Sequence, residues 1–116
     1  MALHRLTITE ARDLLERREI SAVELTRAVL DRIAARNPAI EAFLTVTADQ
    51  ALDAARRADQ VLAKGRAGAL TGIPLAIKDV ICTQGIRTTC GSRILENYVP
   101  PFDAFVMRRL NEQNAV

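Results

Sequence analysis

Aromatic residues are nearly absent from this sequence, which has three Phe, one Tyr and no Trp in 116 residues. A core made from it must rest on Leu, Ile, Val and Ala. There is one histidine, His4, in the N-terminal stretch, so no Ser-His-Asp arrangement can be assembled within the chain. There are two cysteines, Cys82 and Cys90. Their spacing is not CxxC, and no histidine cluster completes a zinc site, so two free thiols are expected. No apolar run approaches membrane-crossing length. The opening residues, Met1 to Thr7, lack the apolar stretch of a secretory signal, and a cytoplasmic chain is expected. Neither sign of charge dominates. Sixteen basic and fourteen acidic residues leave +2, too even to point to a nucleic-acid binder by electrostatics alone. Lysine is scarce as well: Lys64 and Lys78 are the only two.

What is present fits one soluble globular domain or part of one, with 49% apolar and 26% charged residues. Thr7 to Glu10 reads as a capping box opening a short helix with Ala11, Leu14 and Leu15 on one side. Ser21 to Glu24 is a second box, followed by Leu25, Val29 and Ile33 at helical spacing. Asn37-Pro38 is expected to stop that helix. Ile40 to Thr47 is rich in β-branched and aromatic residues and predicts a short extended segment. Thr47 to Gln50 again resembles a cap. The helix after it carries Ala51, Leu52, Ala55, Ala58, Val61 and Leu62, and ends at Lys64-Gly65. Pro74 to Ile77 reads as a short buried strand. Residues 79 to 101 have little periodicity, and a loop so long is usually functional or disordered. Asp103 is the expected N-cap of a last helix with Val106, Met107 and Leu110, and Asn114 its C′ residue.

The chemistry centres on Lys78, at the end of the apolar run Pro74 to Ile77. Burial there would lower the amine pKa and allow it to act as a general base or to help activate a nucleophile. The alternative is a solvated lysine at a strand end, snorkelling or paired with Asp79. A P-loop is excluded, because no glycine stands immediately before Lys78 and no Ser or Thr directly follows it. The hydroxyls of Thr88, Thr89 and Ser92 are weaker candidates.

The run Gly72-Ile-Pro-Leu-Ala-Ile-Lys78-Asp79 resembles the start of the conserved block of the amidase signature family. The continuation from Ile81 to Asp103, with Cys-Thr-Gln-Gly-Ile-Arg-Thr-Thr-Cys and Leu-Glu-Asn-Tyr-Val-Pro-Pro, resembles the branch of tRNA-dependent amidotransferase glutaminase subunits. The resemblance implies an α/β fold: the N-terminal part of the amidase signature fold, with helices followed by the first strands of a mixed sheet. Residues 1–65 would form the N-terminal helical segment and 66–116 the start of a truncated core, an incomplete domain. It implies a Ser–cis-Ser–Lys triad whose lysine maps onto Lys78. The two serines lie beyond Val116, so this chain alone is expected to be inactive. Glutamine would be the substrate. The B and C subunits of an amidotransferase heterotrimer would be the partners, with aminoacyl-tRNA reached through the complex and no membrane involved. No cofactor would be bound by this chain, while ATP and Mg2+ would serve the whole complex. Val80 departs from the family, which often has Asn there. A non-catalytic module for subunit interaction and a fragment of a general amidase are the competing readings.

Overall fold

A computed structural model describes residues 1–116. It contains a 3-10 turn, Leu3–Arg5, and four α-helices: α1 (Ile8–Glu16), α2 (Ala22–Ile40), α3 (Ala48–Ala63) and α4 (Phe105–Glu112). The chain divides into two compact units. One comprises Met1–Leu75 with Gln113–Val116, and the other Ala76–Glu112. The expected α/β character gives way to helices joined by irregular segments, with no strand.

In the first unit, both predicted capping boxes form. The Thr7 hydroxyl accepts from the Glu10 amide at 3.3 Å, and the Glu10 carboxylate accepts from the Thr7 amide at 2.8 Å. Ser21 and Glu24 repeat the exchange at 3.1 and 2.8 Å. The start of α2 gains a further partner from far along the chain. The Asp59 carboxylate of α3 accepts from the Ala22 amide at 2.7 Å and the Val23 amide at 3.3 Å. The four donors that a helix start leaves without intrahelical partners are thus all satisfied at α2.

Pro38 does not stop α2, which runs on to Ile40 and ends with Glu41 in left-handed backbone. A proline this near the C-terminus removes one hydrogen bond without interrupting a long helix beyond it. The extended segment expected over 40–47 is absent. Asn37 explains why, since its side-chain oxygen accepts from the Phe43 amide at 2.8 Å and its amide group donates to the Phe43 carbonyl at 3.0 Å. A side chain thereby meets the needs that a neighbouring strand would meet. Thr47 precedes α3 but makes no side-chain cap, contrary to expectation. At the other end, Gly65 (φ 66°) donates to Leu62 at 3.1 Å and Arg66 donates to Val61 at 3.2 Å. That is the paired bonding of a Schellman motif.

The core of this unit consists of Ala11, Leu15, Ala22, Leu25, Ala55, Ala58 and Ile73. Alanines on α2 and α3 let those helices approach closely. Gly72 is held at φ 79°, and a Cβ placed there would lie 3.0 Å from that of Ala22. Glycine alone meets both demands cheaply.

The expected strand over Pro74 to Ile77 does not form. Its start makes one pair: Leu75 donates to the Val116 carbonyl at 2.7 Å, and Val116 donates to the Ile73 carbonyl at 2.9 Å. These two bonds have the parallel pattern around Pro74, which itself has no N–H to give. One pair is not a ladder. Ala76 and Ile77 are exposed rather than buried.

The second unit holds α4 and the long segment before it. That segment is ordered by turns and by bonds between distant parts. Gly85 donates to Pro100 at 3.0 Å, Thr88 to Tyr98 at 3.0 Å and Ala104 to Cys82 at 2.8 Å. Asp103 does not cap α4. Its carboxylate accepts instead from the Gln84 amide at 2.7 Å and the Asn111 side chain at 3.3 Å. A main-chain donor stranded in the long loop claims the group that the helix start would have used.

Candidate active site

Lys78 opens a tight turn in which its carbonyl accepts from the Ile81 amide at 3.0 Å. Its side chain is exposed and takes part in no ion pair. The apolar surroundings expected around this side chain are therefore not found. The ion pair with Asp79 is not found either.

Asp79 shows why. One carboxylate oxygen accepts from the Thr89 amide at 2.8 Å. The other accepts from the Thr89 hydroxyl and from the Gly91 amide, the latter at 3.3 Å. The Asp79 carbonyl accepts from the Cys90 amide at 2.8 Å. Three donors on a carboxylate favour its charged form. The Thr89 hydroxyl and amide, followed by the Gly91 amide and the Arg87 charge, hold the Asp79 carboxyl below the usual carboxylate range.

The partner segment is shaped for this role. Ser92 donates back to the Thr89 carbonyl at 2.9 Å, with Cys90 (φ 52°) and Gly91 (φ 66°) between them. Two successive positive φ values describe a type I′ turn. Thr88 and Thr89 are buried. The arrangement closes the loop after Lys78 onto the residue next to it and leaves the amine exposed and unpaired.

The remaining candidates stay apart from any such constellation. His4 lies exposed in the 3-10 turn, and Ser21 is a helix cap. The Ser92 hydroxyl accepts from the Ile94 amide at 3.2 Å. Both cysteines are free thiols. No group of three or more His, Cys, Asp or Glu side chains is placed to hold a metal ion. No helix is long and apolar enough to cross a membrane.

Sequence reasoning missed Asp79 as an organiser of the loop. An aspartate followed ten residues on by threonine and then by glycine carries only a faint signal, because side-chain bonding to backbone is readily foreseen only over a few residues.

Known proteins resemble the chain in both sequence and fold. The family model described as Amidase matches residues 24–116. The chain is 55% identical over its whole length to the A subunit of the glutamyl-tRNA(Gln) amidotransferase of Desulfatibacillum aliphaticivorans, and spans 24% of that protein. It is 57% identical over 99% of its length to the protein of the same name from Granulibacter bethesdensis, of which it spans 23%. Among solved structures, the native peptide amidase from Stenotrophomonas maltophilia superposes with a TM-score of 0.88 at 34% identity, over 97% of this chain and 23% of that one. The chain thus spans about a quarter of the length of the curated relatives it matches. Its sequence and its fold together show that the chain belongs to the amidase signature family.

Proposed function

We propose that this chain is the lysine-bearing part of the A subunit, the glutaminase component, of a tRNA-dependent amidotransferase. The observation that carries this reading is the identity of 55% across all 116 residues to a relative of that name.

In the proposed reaction, Lys78 acts as the base and accepts a proton through a bridging serine in cis configuration. The nucleophilic serine attacks the side-chain amide of glutamine, ammonia leaves, and water hydrolyses the acyl-enzyme. Both serines come from a part of the protein outside these residues, so the chain alone is inactive. The ammonia passes to the B subunit, where ATP and Mg2+ activate Glu-tRNA(Gln) or Asp-tRNA(Asn) for amidation. The C subunit, in turn, completes a cytoplasmic complex.

The test is a chimera in which this chain replaces the matching residues of the Desulfatibacillum relative, produced with its partner subunits. Ammonia release from glutamine is expected, and Lys78→Ala should remove it by about a thousandfold or more, as losses of nucleophile-activating groups do. Lys78→Arg should fail equally, because a guanidinium stays protonated. A folded chimera with no glutaminase activity, or one that keeps it after Lys78→Ala, would sink the reading. The likeness to a peptide amidase favours a second reading, a general amidase. It predicts hydrolysis of peptide or aryl amides in preference to glutamine.

A further inference from the structure

Lys78 and Asp79 are neighbours of opposite charge, yet the carboxylate is turned wholly to other donors. Thr89 supplies its amide and its hydroxyl, and Gly91 its amide. The main chain adds the Cys90 amide on the Asp79 carbonyl. Thr89 is itself buried, with 5% of its surface exposed.

We propose that Asp79 is a positioning residue for Lys78. Clipped to Thr89, it fixes the turn that presents the amine and keeps its own charge from pairing with that amine. The proposal rests on the reading above for what the amine does, but not for how it is held. Two consequences follow from the geometry. Loss of the Thr89 hydroxyl removes one of the three donors and frees the carboxylate to swing toward Lys78. Loss of the carboxylate itself releases the turn from the 89–91 segment.

Two readouts on the chimera test this. The first is turnover. Thr89→Val should lower kcat about tenfold, the worth of one charge-assisted hydrogen bond, with KM for glutamine unchanged. Thr89→Ser should restore it. Asp79→Ala should lower kcat about a hundredfold, in line with misplacement of a catalytic group. The second readout needs no substrate. Competitive acylation with acetic anhydride compares Lys78 with Lys64, quantified peptide by peptide. Thr89→Val should slow Lys78 labelling about threefold through the new ion pair, as suits an exposed one. The double variant Asp79→Ala with Thr89→Val should return it to the parent rate.

A lowered melting temperature in Thr89→Val with kcat and Lys78 labelling unchanged would overturn the proposal, leaving Asp79 a loop staple only. If the parent chimera fails on glutamine, the functional reading falls, while the labelling series still decides the clip. Should Asp79→Ala fail to fold, the Thr89 variants carry both measurements.

Discussion

Arg18 sits at φ 57° just past α1, where its amide donates to Leu15 and the next amide, of Glu19, to Leu14. Those are the bonds of a Schellman ending made without the usual glycine. A side chain in left-handed backbone costs roughly 1 kcal/mol, so Arg18→Gly is expected to stabilise the chain by about that amount. Thermal melting would show it. Thr26 is a second misfit. It lies 2% exposed inside α2, and its hydroxyl has no partner. Thr26→Val keeps the shape and removes the orphan, and should stabilise by about 1 kcal/mol in urea titration. Gly72→Ala should do the reverse. The added methyl meets Ala22 at 3.0 Å in a backbone that disfavours it, for a cost of about 2 kcal/mol or more. At this scale the sequence was a partial guide. It places Gly65 at the end of α3, because a glycine at a helix end is a local signal. The exposure of Lys78 depends on what surrounds it, which residue order does not reveal.

The two capping boxes were legible for the same reason: each lies within four consecutive residues. The Asp59 cap was not, since its partners are 36 and 37 positions away. Asp59→Ala should strip two amides of α2 of their acceptor and destabilise by about 1–2 kcal/mol, with Asp59→Asn recovering part of the loss. Chemical denaturation of the three proteins would measure this. The strand expectations failed where a side chain or a single bond pair took the place of a ladder, at Asn37 with Phe43 and at Val116 with Leu75. Alternating or apolar composition says that a segment suits a strand, not that a partner lies beside it. The 79–91 loop carries a pH signature. Hydrogen bonds hold the Asp79 carboxyl below its ordinary range. A depressed carboxyl contributes stability above its unfolded pKa, and this is lost as pH falls through the folded one. The Thr89 and Gly91 amide resonances should therefore shift together as pH drops below about 4, the ordinary carboxyl range. Asp79→Asn should abolish that transition.

The helices and the family of the chain were readable from its sequence, whereas the expected sheet does not form. The first unit owns nearly all of the buried apolar core. The second has Met107 as its one buried apolar side chain, together with the fully buried Pro100. It exposes Ile94, Phe102, Phe105 and Val99 to at least half of their surface. Hydrogen bonds rather than apolar burial hold such a unit, and local opening is expected to cost little there. Amide exchange should thus be faster across 76–112 than across α2 and α3. Exposed apolar side chains in this number also favour self-association. Light scattering should rise with protein concentration, and Phe105→Asp with Ile94→Lys should suppress it. Uniform exchange across both units would count against this division.

The carboxylate that joins α3 to the start of α2 also bears on the order of folding. A cap contributed from so far along the chain cannot help α2 to nucleate; it acts once α3 has docked. If docking follows the rate-limiting step, removal of Asp59 would leave the refolding rate nearly unchanged and speed unfolding. If the α2–α3 pair is the nucleus, refolding would slow instead. Stopped-flow kinetics of a single variant would therefore date the meeting of the two helices.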